Sequence, residues 1–235
     1  MARGRLEVSP EVAAAHPSYR AAVIYATGLV NGPSTDAGRA ELAAAGGRAR
    51  ERSENQRLAE KPQVAAWRQV FNSFGAKPCR YPSSVEALLA RSLRDGSPPP
   101  VNALVDAYNA VSLDFLLPIG GEDWGRLVGN GVLRFARGDE GFVVFHGNDE
   151  EVSNPKPGEV IWADDEGVTC RRWNWRQCLR TQLTEQTTEA YFLLEAIGDY
   201  PDDELEAATE ALVEAAQRVS PSAQFSRERL RPAAA

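Results

Sequence analysis

Val101-Asn-Ala-Leu-Val-Asp-Ala-Tyr-Asn-Ala-Val-Ser-Leu-Asp-Phe-Leu-Leu-Pro-Ile-Gly-Gly-Glu-Asp123 is the stretch on which the fold turns. Val101, Leu104, Val105, Tyr108, Val111, Phe115 and Leu116 recur at helical spacing, with Asn102 placed to cap the first turn. Beside that apolar face Asp106, Asn109 and Ser112 follow one another at intervals of three, a line of carboxylate, amide and hydroxyl. Such a line either orients a ligand or bonds the loop that leaves at Pro118, and the loop role is favoured for Asp106 and Ser112. Residues 118–123 read as that loop. Gly120 and Gly121 permit close backbone approach to a ligand, with the acids Glu122 and Asp123 beside them.

Upstream, Tyr19-Arg-Ala-Ala-Val-Ile-Tyr-Ala-Thr-Gly-Leu-Val30 reads as a buried strand closed by the turn Asn31-Gly-Pro33. Residues 35–60, rich in Ala, Arg and Glu, suit an exposed helix interrupted at Gly46-Gly47. Val64, Trp67, Val70, Phe71 and Phe74 give a second helix over 62–74. A third starts at the capping box Ser83-Ser-Val-Glu86, places Val85, Leu88, Leu89 and Leu93 on one face and stops near Gly96. Downstream, residues 131–136, 141–145, 159–163, 168–175 and 189–197 are short strands of an antiparallel meander. In the last, Tyr191, Leu193, Glu195 and Ile197 share one face and Phe192, Leu194 and Ala196 the other, so Glu195 is the lone charge in an apolar strand. It is either paired with Arg172 or Arg176, or turned toward a ligand. Residues 201–219 form an amphipathic helix with Asp202, Asp203, Glu204 and Glu206 at its positive end, and from Ser220 the tail reads as disordered.

Cys170-Arg-Arg-Trp-Asn-Trp-Arg-Gln177 packs two tryptophans and three arginines into eight residues. It follows Asp165-Glu166-Gly167, the turn of a hairpin. As a strand it would set Arg172, Asn174 and Arg176 on one face and Trp173 and Trp175 on the other. Two readings stay open: a cationic platform for an RNA phosphate or a carboxylate, or two core indoles with arginines satisfied by surface acids.

The net charge of -7 gives no global basic field, so any RNA contact must be local. With His16 and His146 as the sole imidazoles, a histidine-ligated metal or a multi-histidine relay is disfavoured. Cys79, Cys170 and Cys178 form neither a disulfide framework nor a zinc spacing. Met1 to Arg5 is basic, but no apolar signal core follows and no run approaches a membrane span, which makes the cytoplasm the default expectation.

The 101–123 stretch, followed by Pro157-Gly-Glu-Val160, Arg171-Arg-Trp-Asn-Trp-Arg176 and the strand ending at Glu195, resembles the freestanding relatives of the tRNA-binding B-three/four (B3/4) domain, the editing module of the phenylalanyl-tRNA synthetase β subunit. The resemblance covers roughly residues 55–200. It implies an α+β fold in which a mostly antiparallel sheet packs against helices, within one domain over 1–219 followed by the tail 220–235. It further implies hydrolysis of the ester joining a wrong amino acid to tRNA, with no cofactor and no metal. The partners expected are the acceptor end of a mischarged tRNA and a synthetase, with neither membrane nor DNA.

By the same resemblance Asp106 and Asn109 stand on one wall of the pocket and Glu195 is its glutamate. Gly120 replaces a histidine that positions water, and Tyr108 replaces a small threonine, filling space used by an aromatic amino acid. Catalysis then falls to Glu195, Asn109, Asp123 and Asn174. Glu122, Asp123 or Glu195 would anchor the α-ammonium. Arg172, Asn174, Arg176 and the amides of Gly120 and Gly121 would meet the oxyanion or terminal phosphate. Arg171, Arg172, Arg176 and Arg180 would supply a local positive patch for tRNA. Two alternatives accompany this reading: a non-catalytic module binding tRNA or a synthetase, and a hydrolase or binder of a small amino-acid derivative.

Overall fold

Helices begin where a side chain can satisfy free amide groups. In the computed structural model, which describes residues 4–53, 56–146 and 149–230, the cap side chains of Ser9, Thr35, Ser83 and Asn102 accept from the first turns of α1 (Pro10–Ala15), α2 (Asp36–Glu51), α4 (Ser84–Asp95) and α5 (Ala103–Phe115). Helix α3 (Pro62–Ser73) starts on a proline, which lacks the amide others must satisfy, and α6 (Asp202–Val219) on three consecutive acids.

Two helix expectations change. Helix α2 runs unbroken through Gly46-Gly47 and ends at Glu51; beyond it lies a single 3-10 turn, Leu58–Glu60, and residues 54–55 fall outside the described residues. Gly46 allows close approach instead of a break: a Cβ there would stand 2.8 Å from the Gly96 carbonyl oxygen. On α4 the buried side includes Ser92, whose hydroxyl bonds back to the Leu88 carbonyl, while Leu93 is exposed.

The strands are β1 (Leu6–Val8), β2 (Arg20–Thr27), β3 (Ile119–Asp123), β4 (Gly131–Phe135), β5 (Val143–His146), β6 (Asp149–Val152), β7 (Val160–Ala163), β8 (Val168–Arg171), β9 (Arg176–Gln177), β10 (Glu189–Ala196) and β11 (Gln224–Leu230). They form a sheet in the order β1-β4-β7-β8-β9, a second in the order β11-β2-β10-β3, and the hairpin β5-β6. All pairings are antiparallel except β1 with β4.

The alternation read in β10 sorts the core. Phe192 and Leu194 pack toward α5 and α6, with Leu104, Val111, Leu205 and Leu212. Tyr191, Leu193 and Ile197 face the five-stranded sheet and α3, meeting Trp162, Trp173, Trp67 and Phe71. The second sheet is therefore the middle of three layers, an α+β architecture of mostly antiparallel sheet packed against helices.

Several strand expectations are corrected. The later strands are not one meander, because β10 leaves the first sheet and inserts between β2 and β3. Residues 118–123 are not a loop: Ile119–Asp123 is β3, paired with β10. The tail does not begin at Ser220, since β11 pairs along β2 with Leu230 buried; residues 231–235 lie outside the described residues. Strand β1 and helix α1 were not anticipated, although Ser9-Pro10-Glu11 is a cap signal. Among the described residues no helix is long and apolar enough to cross a membrane.

Candidate functional site

Strand β8 ends at Arg171, and the chain reverses over 172–175 before β9. Arg172 and Trp173 have φ of 48° and 64°, the left-handed region in two successive non-glycine residues. Each costs on the order of 1 kcal/mol, so tertiary contacts must hold them. Trp173 is fully buried and packs edge-on against His16, Tyr19 and Trp67, and its backbone N–H donates to Val160. The Arg172 guanidinium lies 3.7 Å from the Tyr81 ring centroid and 4.5 Å from that of Trp175. The expected alternation of faces across 172–176 does not occur, because these residues form a turn.

The strained turn delivers two donors to Glu195. Its Oε1 accepts from Tyr19 Oη and Trp173 Nε1, both at 2.8 Å, and its Oε2 from Asn174 Nδ2 at 3.0 Å. The partner anticipated for this carboxylate, Arg172 or Arg176, is replaced by these neutral groups. The Trp162 indole N–H is close enough to favour the anion without forming a hydrogen bond. Burial outweighs all four and pushes the Glu195 carboxyl up to about 7. It is a carboxyl poised to exchange a proton near neutrality.

Glu195 borders a cavity of about 560 Å³. Tyr108 and Asn109 of α5, Gly120 and Glu122 of β3, and Arg91 of α4 join Trp162, Asn174 and Arg176 in lining it. Burial raises the pKa of Glu122; the hydroxyls of Thr181, Tyr191 and Thr169 offset part of this, and Oε2 keeps no partner. Burial also pushes the Cys170 thiol, on the cavity wall, well above its ordinary range, which leaves a neutral group instead of a nucleophile. His16 packs behind Trp173, outside the lining.

The cavity concentrates unpaired polar atoms. Of eight buried side-chain polar atoms without a hydrogen-bond partner among the described residues, four belong to lining residues: Ser84 Oγ, Glu122 Oε2, Trp162 Nε1 and Asn174 Oδ1. Native proteins leave few buried polar groups unpaired, and these four make the cavity the candidate functional site.

The residues singled out from sequence divide between this cavity and the scaffold. Tyr108, Asn109, Gly120, Glu122, Asn174, Arg176 and Glu195 are brought together in the lining. Gly121 lies in β3, where a Cβ would stand 2.9 Å from Leu183 and Phe192, so its role is packing. Asp123 caps the following turn through Gly125 N and accepts from Thr187. Ser112 bonds the Leu117 carbonyl, as favoured, and Asp106 the Val101 amide, but on the flank of α5 away from Asn109.

The expected surface patch of four arginines is not present as such. Arg171 is buried in a bidentate pair with Glu159 at 2.8 and 2.9 Å, and Arg172 shares that carboxylate at 3.3 Å. Arg180 is paired with Asp164 at 2.7 Å and reaches Glu166. Arg176 remains exposed at the cavity. Sequence reasoning missed Arg91, Ser84, Trp162 and Tyr19; Ser84 was read only as part of a helix start, and no local pattern marks the others.

With the fold and cavity described, the class is fixed by comparison of the sequence with known families. The B3/4 domain family matches residues 66–224, and the chain belongs to that family. Among solved structures it is similar to an N-terminal fragment of the phenylalanyl-tRNA synthetase β-subunit from Pyrococcus horikoshii, at 11% identity and a TM-score of 0.42, over 95% of this chain and 50% of that one. This chain thus spans about half the length of that fragment. No curated protein matches it.

Proposed function

We propose that the cavity accepts an α-aminoacyl group and that the protein hydrolyses aminoacyl-tRNA in trans. The observation that carries this reading is the chemistry of the four unpaired atoms. Glu122 Oε2 and Asn174 Oδ1 are acceptors suited to an ammonium; Trp162 Nε1 and Ser84 Oγ are donors suited to a carbonyl oxygen. A group with one ammonium beside one carbonyl fits that set. Membership of the B3/4 family supports it.

In this mechanism the oxygen of a water bonds to the ester carbonyl carbon while Glu195, half ionised near pH 7, takes its proton. The two donors meet the negative charge that develops on the carbonyl oxygen. The bond to the ribose oxygen then breaks and that oxygen recovers the proton. Asn109 borders the reacting group, Tyr108 limits the side chain admitted, and Arg91 and Arg176 stand at the mouth for terminal phosphates. Hydrolysis of an already activated ester needs no imidazole here.

A non-catalytic tRNA-binding module is the second reading, favoured because Glu195 already accepts three hydrogen bonds. The test is release of amino acid from a panel of correctly and incorrectly charged tRNAs, with Glu195→Gln and Glu122→Gln alongside. Release from a mischarged species that rises with pH around 7 and is lost in Glu195→Gln supports the deacylase. Binding of tRNA without release from any species overturns it in favour of the module.

A further inference from the structure

A second cavity, of about 570 Å³, lies between α2, α5 and α6, on the side of α5 remote from Glu195. Its floor is the α5 flank that carries Ala103, Asp106, Ala107 and Ala110, and Ala37 of α2 and Ala211 of α6 face it from either side. Small side chains on three helices leave this trough open. Val111, Phe115 and Val219 make its walls apolar, and the volume is that of a small-molecule site.

One group there has no structural use for all its bonding capacity. Asp106 is completely buried; its Oδ1 accepts from the Val101 amide at 2.8 Å, while its Oδ2 has no partner. A buried carboxylate oxygen without a donor is costly, and a ligand donor would relieve it. The charges of the lining have one prevailing sign. Within the lining Glu41, Asp114 and Glu214 join Asp106 against Arg218, while Arg48 pairs with Glu41 and Asp114, and Arg52 with Asp114 at 3.7 Å, from outside it. An anion is disfavoured by this arrangement.

We propose that this trough is a second ligand site, for a small molecule with an apolar alkyl or aryl body and one primary ammonium, the ammonium bonding Asp106 Oδ2 and the body lying along the alanines. The site is independent of the aminoacyl cavity, and Asp106 and Asn109 of one helix serve two different cavities.

The probe is 2-phenylethylammonium, with 2-phenylethanol as its uncharged analogue, followed by amide chemical shifts and saturation-transfer NMR on the full chain. Asp106→Asn keeps an acceptor for the Val101 amide and removes the charge; Ala211→Trp fills the trough from the half-exposed side of α6 and leaves Asp106 in place. The expected result is shifts at Ala107 and Ala211, affinity lowered about tenfold or more in Asp106→Asn, loss in Ala211→Trp, and no change in Glu122→Gln, which separates this site from the first. Absence of shifts at Ala107 and Ala211, equal shifts with the alcohol, unchanged affinity in Asp106→Asn, or shifts at Ala107 that persist in Ala211→Trp overturn the proposal.

Discussion

Replacing Glu195 by Gln isolates one charge in the middle of the molecule. Gln keeps the contacts: its Oε1 accepts from Tyr19 and Trp173, and its amide N–H meets Asn174 Oδ1, now unpartnered, once Asn174 turns its amide over. The Glu195 carboxyl moves from its ordinary 4.5 to about 7 on folding, chiefly by desolvation. Between those values the folded chain holds a proton that the unfolded chain has lost, so stability falls as pH rises through this window. Below pH 4.5 both states are protonated and the penalty is absent. At about 1.4 kcal/mol per pH unit the full penalty is about 3 kcal/mol, complete by about pH 8. Urea unfolding followed by tryptophan fluorescence at pH 5, 6, 7 and 8 measures it, and His16, Glu122 and other titrating groups cancel in the difference between the two proteins. Wild type should lose about 2.5 kcal/mol relative to Glu195→Gln between pH 5 and pH 8, the first part of the penalty being already present at pH 5. Parallel curves, within about 0.5 kcal/mol, would refute the assignment of a buried carboxyl titrating near neutrality.

Other outcomes follow from particular contacts. Gly46→Val, which drives a Cβ to within 2.8 Å of the Gly96 carbonyl before the rest of its side chain is counted, should cost about 1–3 kcal/mol in denaturant titration, although valine would otherwise favour a helix over glycine. Ending the chain after Ala223 removes β11 with its buried Leu230 and exposes the edge of β2, so stability should fall by at least about 2 kcal/mol in denaturant titration and aggregation should rise. If the protein acts on tRNA as proposed, Arg91→Ala combined with Arg176→Ala should weaken tRNA binding and flatten its dependence on log salt by about one for each phosphate no longer neutralised. An unchanged slope would remove the two arginines from the proposed phosphate contact.

Where local chemistry is decisive, the chain announces its structure. Ser83, Asn102 and Pro62 start helices because a hydroxyl, an amide or a missing N–H answers the free donors of a first turn wherever the segment lies. The strict alternation of Tyr191 to Ile197 places Glu195 between apolar neighbours and marks it as unusual before any partner is known. Gly120-Gly121 and the charged Gln224 to Leu230 are poor strand sequences, and they become strands because β10 and β2 offer them ladders to complete. Gly46-Gly47 is a poor helix sequence held helical by the close pass of α4.

Helices α3 to α6, the central strand and the singling out of Glu195 were therefore determined by the sequence alone, through caps, periodicity and one misplaced charge. The cavity was decided only by tertiary structure. Glu195 meets a tyrosine 176 residues away and an indole and an amide 22 and 21 residues away, through a turn whose left-handed Arg172 and Trp173 no local preference would choose. Likewise Asp106 and Asn109, neighbours on one helix, were parted by what packs on either flank of α5. Local propensity acts over one or two turns of chain, whereas the pairing of buried polar groups is settled only when distant segments enclose the same space.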